Sequence, residues 1–261
     1  MAFFNTTKGG DDMELNKIYN EDCLEGMKRI PDGSVDMILA DLPYGTTRNK
    51  WDSVIDLEKL WGQYNRIIKE RGAIILTAQT PFDKLLGASN LKMLKYEWIW
   101  EKNKATGHLN AKKMPMKAHE NVLVFYKKLP TYNPQGLIEK AVPTINKGNR
   151  GKKKQGAGGT NYGVSNKDAV QTHTGYPRDV LHYPVDMAPI HPTQKPVELF
   201  EYLIKTYTNE GDTVLDNVMG SGTTAIACLN TNRRYIGFEL DKEYFDVANE
   251  RINKHEKQCK R

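Results

Sequence analysis

Residues 213–239 read TVLDNVMGSGTTAIACLNTNRRYIGFE. TVLD is a short apolar run closed by a carboxylate. Gly220-Ser221-Gly222 forms a turn of small residues, residues 223–230 continue as an apolar helix, and YIGFE is a second apolar run that also ends on an acid. Strand, turn, helix and strand in this order indicate a parallel sheet with helices on its faces.

The pattern repeats outward from this unit. Short strands are expected at 15–20, 35–40 (VDMILA), 73–78 (AIILTA), 96–101 and 121–126 (NVLVFY). Helices are expected at 22–30, with Asp22 as N-cap, and at 57–70, 81–89, 197–207 and 242–254. Between 127 and about 188 the periodicity lapses, and six glycines gather from Gly148 to Gly163. The expected organisation is a flexible extension at 1–12, a catalytic α/β domain from 13–127 and 189–261, and an inserted region at 128–188.

Composition narrows the function. The 261 residues are 39% hydrophobic and 27% charged, an ordinary globular balance, and no apolar stretch approaches a membrane span. Three scattered cysteines, Cys23, Cys228 and Cys259, make a poor disulfide framework and no structural zinc or iron–sulfur set, so no metal is expected. They fit a reducing cytoplasm. The net charge of +6 is uneven: from Lys102 to Lys154, 13 basic residues face Glu120 and Glu139 alone. A basic segment of +11 on a body of −5 suits a polyanionic partner, although a solvated lysine-rich loop has the same composition. Lys147, Arg150, Lys152, Lys153 and Lys154 are the expected phosphate contacts.

The acids at strand ends carry the chemistry. Asp22, Asp41, Asp216 and Glu239 each follow an apolar run, and in an open parallel sheet ligands bind beyond the carboxyl ends of the strands. One such acid is as readily a helix N-cap; four on one edge point to a ligand. The Gly220-Ser221-Gly222 turn lacks the third glycine of a dinucleotide fingerprint and the lysine of a P-loop. Combined with Glu239 at the next strand end, it suits an adenosyl group whose ribose hydroxyls that carboxylate binds. Asp41-Leu42-Pro43-Tyr44 suits a base amine. Its lone pair is delocalised into the ring, and acceptors at Asp41 and at the carbonyl of Leu42 or Pro43 would free it. Tyr44 offers a surface for an extruded base, or is simply an aromatic plug closing the turn.

Together these segments resemble the amino-methyltransferases of DNA, in the permuted β group. Asp41-Leu42-Pro43-Tyr44 resembles the DPPY motif, and His191-Pro192-Thr193-Gln194-Lys195-Pro196 matches the HPTQKP block. Residues 216–224, DNVMGSGTT, resemble the DPFxGSGTT loop, and Tyr235-Ile236-Gly237-Phe238-Glu239 the ribose-binding strand. Asn20-Glu21-Asp22-Cys23 resembles the adenine-ring motif, and His119-Glu120 with NVLVFY the strand before the recognition region. Leu42 replaces the first proline of DPPY, and Asn217-Val218 replaces Pro-Phe.

The resemblance implies a Rossmann-like S-adenosylmethionine-dependent methyltransferase with a mostly parallel, twisted sheet and circularly permuted motif order. It implies Asp22, beside Cys23, at the cofactor's adenine and Glu239 at its ribose. Asp216, Gly220, Ser221, Gly222 and Thr223 would line the methionine part, and Thr193, Gln194 and Lys195 would hold the carboxylate. Asp41, also near the cofactor, would be catalytic with Pro43 and Tyr44. The implied partner is DNA, the implied assembly a homodimer, and the implied target the N6 amine of adenine. Methylation of cytosine N4, of RNA or of a glutamine amide, a catalytically inactive DNA-binding module and a nicotinamide dehydrogenase are the competing readings. His191 is not expected to act as a base or a metal ligand, and Trp98, Trp100 and Cys228 are expected in the core.

Overall fold

The computed structural model describes residues 13–45, 54–147, 168–186, 190 and 194–259. By internal contacts it divides into two units, one comprising the residues up to Asn133 and from Asp179 onward, the other Pro134–Arg178.

The first unit is built on an eight-stranded sheet. Its strands are β1 (Lys17–Tyr19), β2 (Val35–Ala40), β3 (Ile68–Ala78), β4 (Leu94–Thr106), β5 (Lys117–Phe125), β8 (Val180–His182), β9 (Thr213–Asp216) and β10 (Arg234–Phe238), in the order β1-β10-β9-β2-β3-β5-β4-β8. All neighbours are parallel except β5, which runs against both β3 and β4. The helices are α1 (Cys23–Gly26), α2 (Leu57–Ile67), α3 (Phe82–Ser89), α4 (Val197–Tyr207), α5 (Thr223–Asn230) and α6 (Lys242–Cys259).

Strand periodicity explains the two-sided core. Ile38, Ala40, Ile74, Leu76, Leu215 and Phe238 face one side, with Met27, Leu60, Trp61, Tyr64 and Leu86 of the first helices. Met37, Leu39, Ile75, Val122, Val124 and Val214 face the other, with Leu199, Phe200, Leu203, Ile226 and Ile252. A strand covered on both faces is largely apolar, which is why VDMILA and AIILTA, apart from Asp36 and Thr77, read as near-continuous apolar runs. Trp98, Trp100 and Cys228 are buried in this core, and all three cysteines are free.

The central topology fixes where a ligand can bind. From β2 the chain crosses through α2 to β3 on one side; from β9 it crosses through α5 to β10 on the other. Strands β2 and β9 are adjacent, so the crossovers diverge at their carboxyl ends and leave a crevice there.

Several local expectations are corrected. The helix expected over 57–70 ends at Ile67, and the strand expected from residue 73 begins at Ile68. Ile68 pairs with Val35, the register then shifts, and Lys69 ties to Asp36 at 2.6 Å, so the polar KERG segment is an irregular strand entry. Residues 128–133 and 179–186, assigned to the insert from sequence, lie in the first unit: Asn133 N–H donates to Thr206 O at 2.7 Å, and β8 pairs with β4. The second unit holds β6 (Ile138–Asn146) and β7 (Ala169–Thr174), an antiparallel pair where an irregular segment was expected. Residues 1–12 and the segment carrying Arg150, Lys152, Lys153 and Lys154 lie outside the described residues.

Gly26 tests how closely α1 packs on β10. A Cβ there would lie 2.2 Å from Cε1 of the fully buried Phe238 ring. Gly26→Ala is expected to cost about 1–3 kcal/mol through overpacking, read from urea unfolding. An unchanged midpoint would contradict this packing.

Candidate active site

Four strand ends converge on a cleft of about 700 Å³, within the size range of small-ligand sites. Asp22, Asp41, Asp216 and Glu239 all line it, as do Cys23, Pro43, Tyr44, Gln194, Lys195, Gly220, Ser221 and Thr223. Gly222 is not on the wall. It starts α5 in a left-handed conformation (φ 82°), and its Cα faces Ala248, where a Cβ would approach to 3.3 Å. Thr193 and His191 lie outside the described residues.

Each carboxylate is set by its own strand. Beyond β1, Asn20 Nδ2 donates to the carbonyls of Glu239 (2.8 Å) and Leu240 (3.1 Å), tying the two strand ends together. Asp22 then caps α1, its Oδ1 accepting from Leu24 N–H (2.8 Å) and Glu25 N–H (3.1 Å), as a strand-to-helix turn demands. Beyond β10, Glu239 accepts from Gly220 N–H (2.7 Å) and Asp241 N–H (2.8 Å). The ribose-type acid and the glycine turn are thereby linked directly. Burial raises the Glu239 carboxyl above the usual range, although these N–H groups oppose it.

Asp216, at the end of β9, is 3% exposed. It accepts from Val218 N–H (3.0 Å) and the Thr224 hydroxyl, so it holds the loop that follows it as well as facing the cleft. Asn217, where the related motif has proline, is buried, accepts from Tyr64 OH and lies 3.5 Å from Cys23 Sγ. Burial pushes the Cys23 thiol up to about 11, so it remains a protonated, weakly polar wall. Ser221 donates to Gln194 Oε1 (3.1 Å), and Arg251 of α6 donates to the Ser221 carbonyl (3.1 Å), bracing the turn from below.

Asp41 is the most connected acid. Its Oδ1 accepts from Tyr44 OH (2.7 Å) and from the Thr77 hydroxyl, while Oδ2 pairs with the Lys195 ammonium. Lys195 also lies 3.5 Å from Glu120 Oε2, and Glu120 Oε1 pairs with Lys102. Two anions and two cations thus form a nearly water-free, charge-balanced cluster. Burial alone would raise the Glu120 carboxyl, but Lys195 and Lys102 hold it below the usual range. Burial would lower the Lys195 ammonium, but Asp41 and Glu120 hold it above its usual value. The Tyr44 ring stacks on Phe82, with centroids 5.4 Å apart and planes 29° apart, and Lys195 Nζ lies 5.8 Å from its centroid.

Sequence reasoning did not anticipate Thr77, Lys102 and Glu120 around Asp41. Thr77 is a lone hydroxyl within AIILTA and Glu120 a lone acid at the head of NVLVFY. Those interruptions were the available signal. Lys195, expected at a cofactor carboxylate, is turned to Asp41 and Glu120.

Comparison with known proteins gives consistent matches. Residues 35–250 match the N6/N4 family described as DNA methylase. DNA adenine methyltransferase YhdJ of Escherichia coli (strain K12) is 28% identical over 259 residues, covering 92% of this chain and 83% of that protein. Type II methyltransferase M.BglII of Bacillus subtilis is 31% identical over 258 residues, covering 90% and 68%. Among solved structures, the M1.HpyAVI–SAM complex is similar with a TM-score of 0.61 at 25% identity, covering 90% of this chain and 98% of that one. PvuII DNA methyltransferase (cytosine-N4-specific) has a TM-score of 0.66 at 15% identity over 91% and 90%, a likeness of fold.

Asp216 gives the cleft a pH signature. Burial, with Asp41 and Glu239 nearby, pushes its carboxyl up to about 7, against roughly 3.9 in an unfolded chain. A raised carboxyl favours the fold in its protonated form, so its contribution is complete below about pH 4 and lost as pH rises through about 7. The melting temperature of the wild type is therefore expected to fall relative to that of Asp216→Asn between about pH 4 and pH 7. A constant difference across that range would contradict the assignment.

Proposed function

Because the chain belongs to the N6/N4 DNA methylase family, we propose that the group it methylates is the exocyclic N6 amine of adenine. It is a DNA methyltransferase, and S-adenosylmethionine is its methyl donor. Bound there, the cofactor supplies an electrophilic methyl group on its sulfonium.

The cleft suits that cofactor on its own chemistry. Glu239 stands beside the Gly220 N–H at the mouth of the glycine turn, as a ribose diol requires. Asp22 and Cys23 would border the adenine, and Ser221, Thr223 and Gln194, with Gly220, the methionine part. Asp216 holds the loop that carries them. Carboxylates on every side favour a ligand that is cationic at sulfur.

The observation that carries the target assignment is Asp41, held at the end of β2 by Tyr44, Thr77 and Lys195. A carboxylate fixed in this way accepts a hydrogen bond from the base amine and stabilises the positive charge that develops on nitrogen. The Leu42 or Pro43 carbonyl is the second acceptor, Pro43 keeps the turn rigid, and Tyr44, backed by Phe82, gives the extruded base a flat neighbour. Adenine is favoured over cytosine because the related N4-cytosine enzymes characteristically have serine where Asp41 stands. A relative named as a DNA adenine methyltransferase supports the same choice. The second unit, Pro134–Arg178, with Lys147, which is exposed, and Arg150, Lys152, Lys153 and Lys154, would read and grip the duplex. A homodimer, which would extend the basic track, belongs to the same reading.

Methylating mixed-sequence DNA and identifying the product by mass spectrometry is expected to give N6-methyladenine; N4-methylcytosine would overturn the assignment. Asp41→Ala is expected to abolish transfer in a folded protein, and activity within tenfold of wild type would remove Asp41 from the chemistry. Glu239→Ala is expected to weaken cofactor binding by about 1–3 kcal/mol in calorimetry. Unchanged affinity would remove Glu239 from the cofactor site.

A further inference from the structure

Asp41 has little acceptor capacity to spare. Oδ1 already takes two hydroxyl donors, Tyr44 and Thr77, and Oδ2 faces the ammonium of Lys195. A base amine must use Oδ2. While an ammonium neutralises that oxygen, it is a poor partner for a nitrogen gaining positive charge. Lys195 is 4% exposed, so its charge is poorly hydrated, and a second carboxylate within reach lowers the cost of releasing Asp41. Glu120 supplies one. Its Oε2 lies 3.5 Å from Lys195 Nζ and 3.5 Å from Tyr44 OH, and it is not among the residues lining the cleft.

We propose that Glu120 is a positioning residue for methyl transfer, taking over the Lys195 ammonium when Asp41 Oδ2 turns to the base amine. This rests on the reading of Asp41 given above. The chain places Glu120 for the task at the head of β5, where Asn121 pairs with Ala78 of β3 and Glu120 itself with Trp100 of β4. Antiparallel pairing puts the Glu120 and Trp100 side chains on one face, and Lys102, two residues on, reaches Glu120 and covers the Trp100 ring at 4.9 Å. Lys102 holds the other oxygen, Oε1, so Oε2 stays directed at the ammonium it is to receive. The cluster is charge-balanced before the shift and after it: one proton-bearing ammonium exchanges its nearer carboxylate for its farther one, and no proton moves.

Among the described residues, the charged and titratable groups around Lys195 include Asp41 from the end of β2, Tyr44 from the following loop, Glu120 from β5, Lys102 from β4 behind it and Asp216 beyond Asp41. In Glu120→Gln the ammonium has Asp41 as its remaining carboxylate partner within this cluster and stays clamped on it. Transfer under single-turnover conditions is expected to slow ten- to a hundredfold near pH 7, with KM for S-adenosylmethionine changed less than threefold. Glu120→Asp, which keeps the charge, is expected to retain more activity than Glu120→Gln.

Lys195→Met provides the double-mutant test, and the Glu120→Gln/Lys195→Met pair removes both charges together, which a core tolerates better than one alone. Glu120→Gln is expected to cost at least tenfold in the wild-type background and less than threefold beside Lys195→Met. A rate for Glu120→Gln within twofold of wild type would overturn the proposal. So would a loss that is the same in both backgrounds and no smaller for Glu120→Asp, which is the mark of a merely structural role. Asp41→Ala measured alongside separates the two ideas. If it is inactive while Glu120→Gln is normal, Glu120 alone is misassigned; if it is active, the Asp41 reading fails first.

Discussion

Strands β2 and β9 lie side by side at the middle of the sheet with both faces covered, and this burial governs the rest of the molecule. Met37, Ile38, Leu39 and Ala40 of β2 and Val214 and Leu215 of β9 are fully buried, so neither strand carries a polar side chain at these central positions. Polar chemistry is displaced to their ends. There the two crossovers part, α2 toward β3 and α5 toward β10, and Asp41 and Asp216 are the first residues able to face a ligand. The glycine turn, the Glu239 strand end and the Asp22 cap then close the cleft around the same point.

The electrostatics at those ends divide the labour between two kinds of acid. Asp22 and Glu239 take backbone N–H groups, so loop geometry and ligand geometry are set together. Asp41 instead belongs to a buried network with Lys195, Glu120 and Lys102. Such a network adds little net stability, because desolvating four charges offsets most of their attraction. Its value lies in holding one carboxylate oriented at the cleft, where an amine must be recognised as it becomes cationic. The cost is met by the apolar core around it, including Trp100 and Phe200.

Much of this was legible in the sequence because burial leaves a local trace. VDMILA, AIILTA and TVLD are apolar on both faces and stop at an acid or a turn, and the glycine turn followed by an apolar helix marks the β9–α5 crossover. Sequence signals gave way where partners are distant or absent. Strands β6 and β7 expose nearly every side chain, so they carry no alternation to detect. Ile68 starts its strand early because it pairs with Val35, a contact that helical spacing through residue 70 disguises. The Asp41 cluster joins residues from positions 41, 77, 102, 120 and 195, and no local pattern predicts that they meet. The motif block containing Gln194 and Lys195 is legible by resemblance, whereas the pairing of its lysine with Asp41 and Glu120 is visible only in the fold.

The central claim is that the end of β2 presents Asp41 to the amine of an extruded base. A crystal structure of the protein with a non-reactive cofactor analogue and a duplex containing its target site tests this most directly. The account predicts a flipped adenine with its N6 within hydrogen-bonding distance of Asp41 Oδ2, its ring against Tyr44, and Lys195 drawn toward Glu120. A target amine held away from Asp41, with Lys195 still paired to that carboxylate, would contradict it.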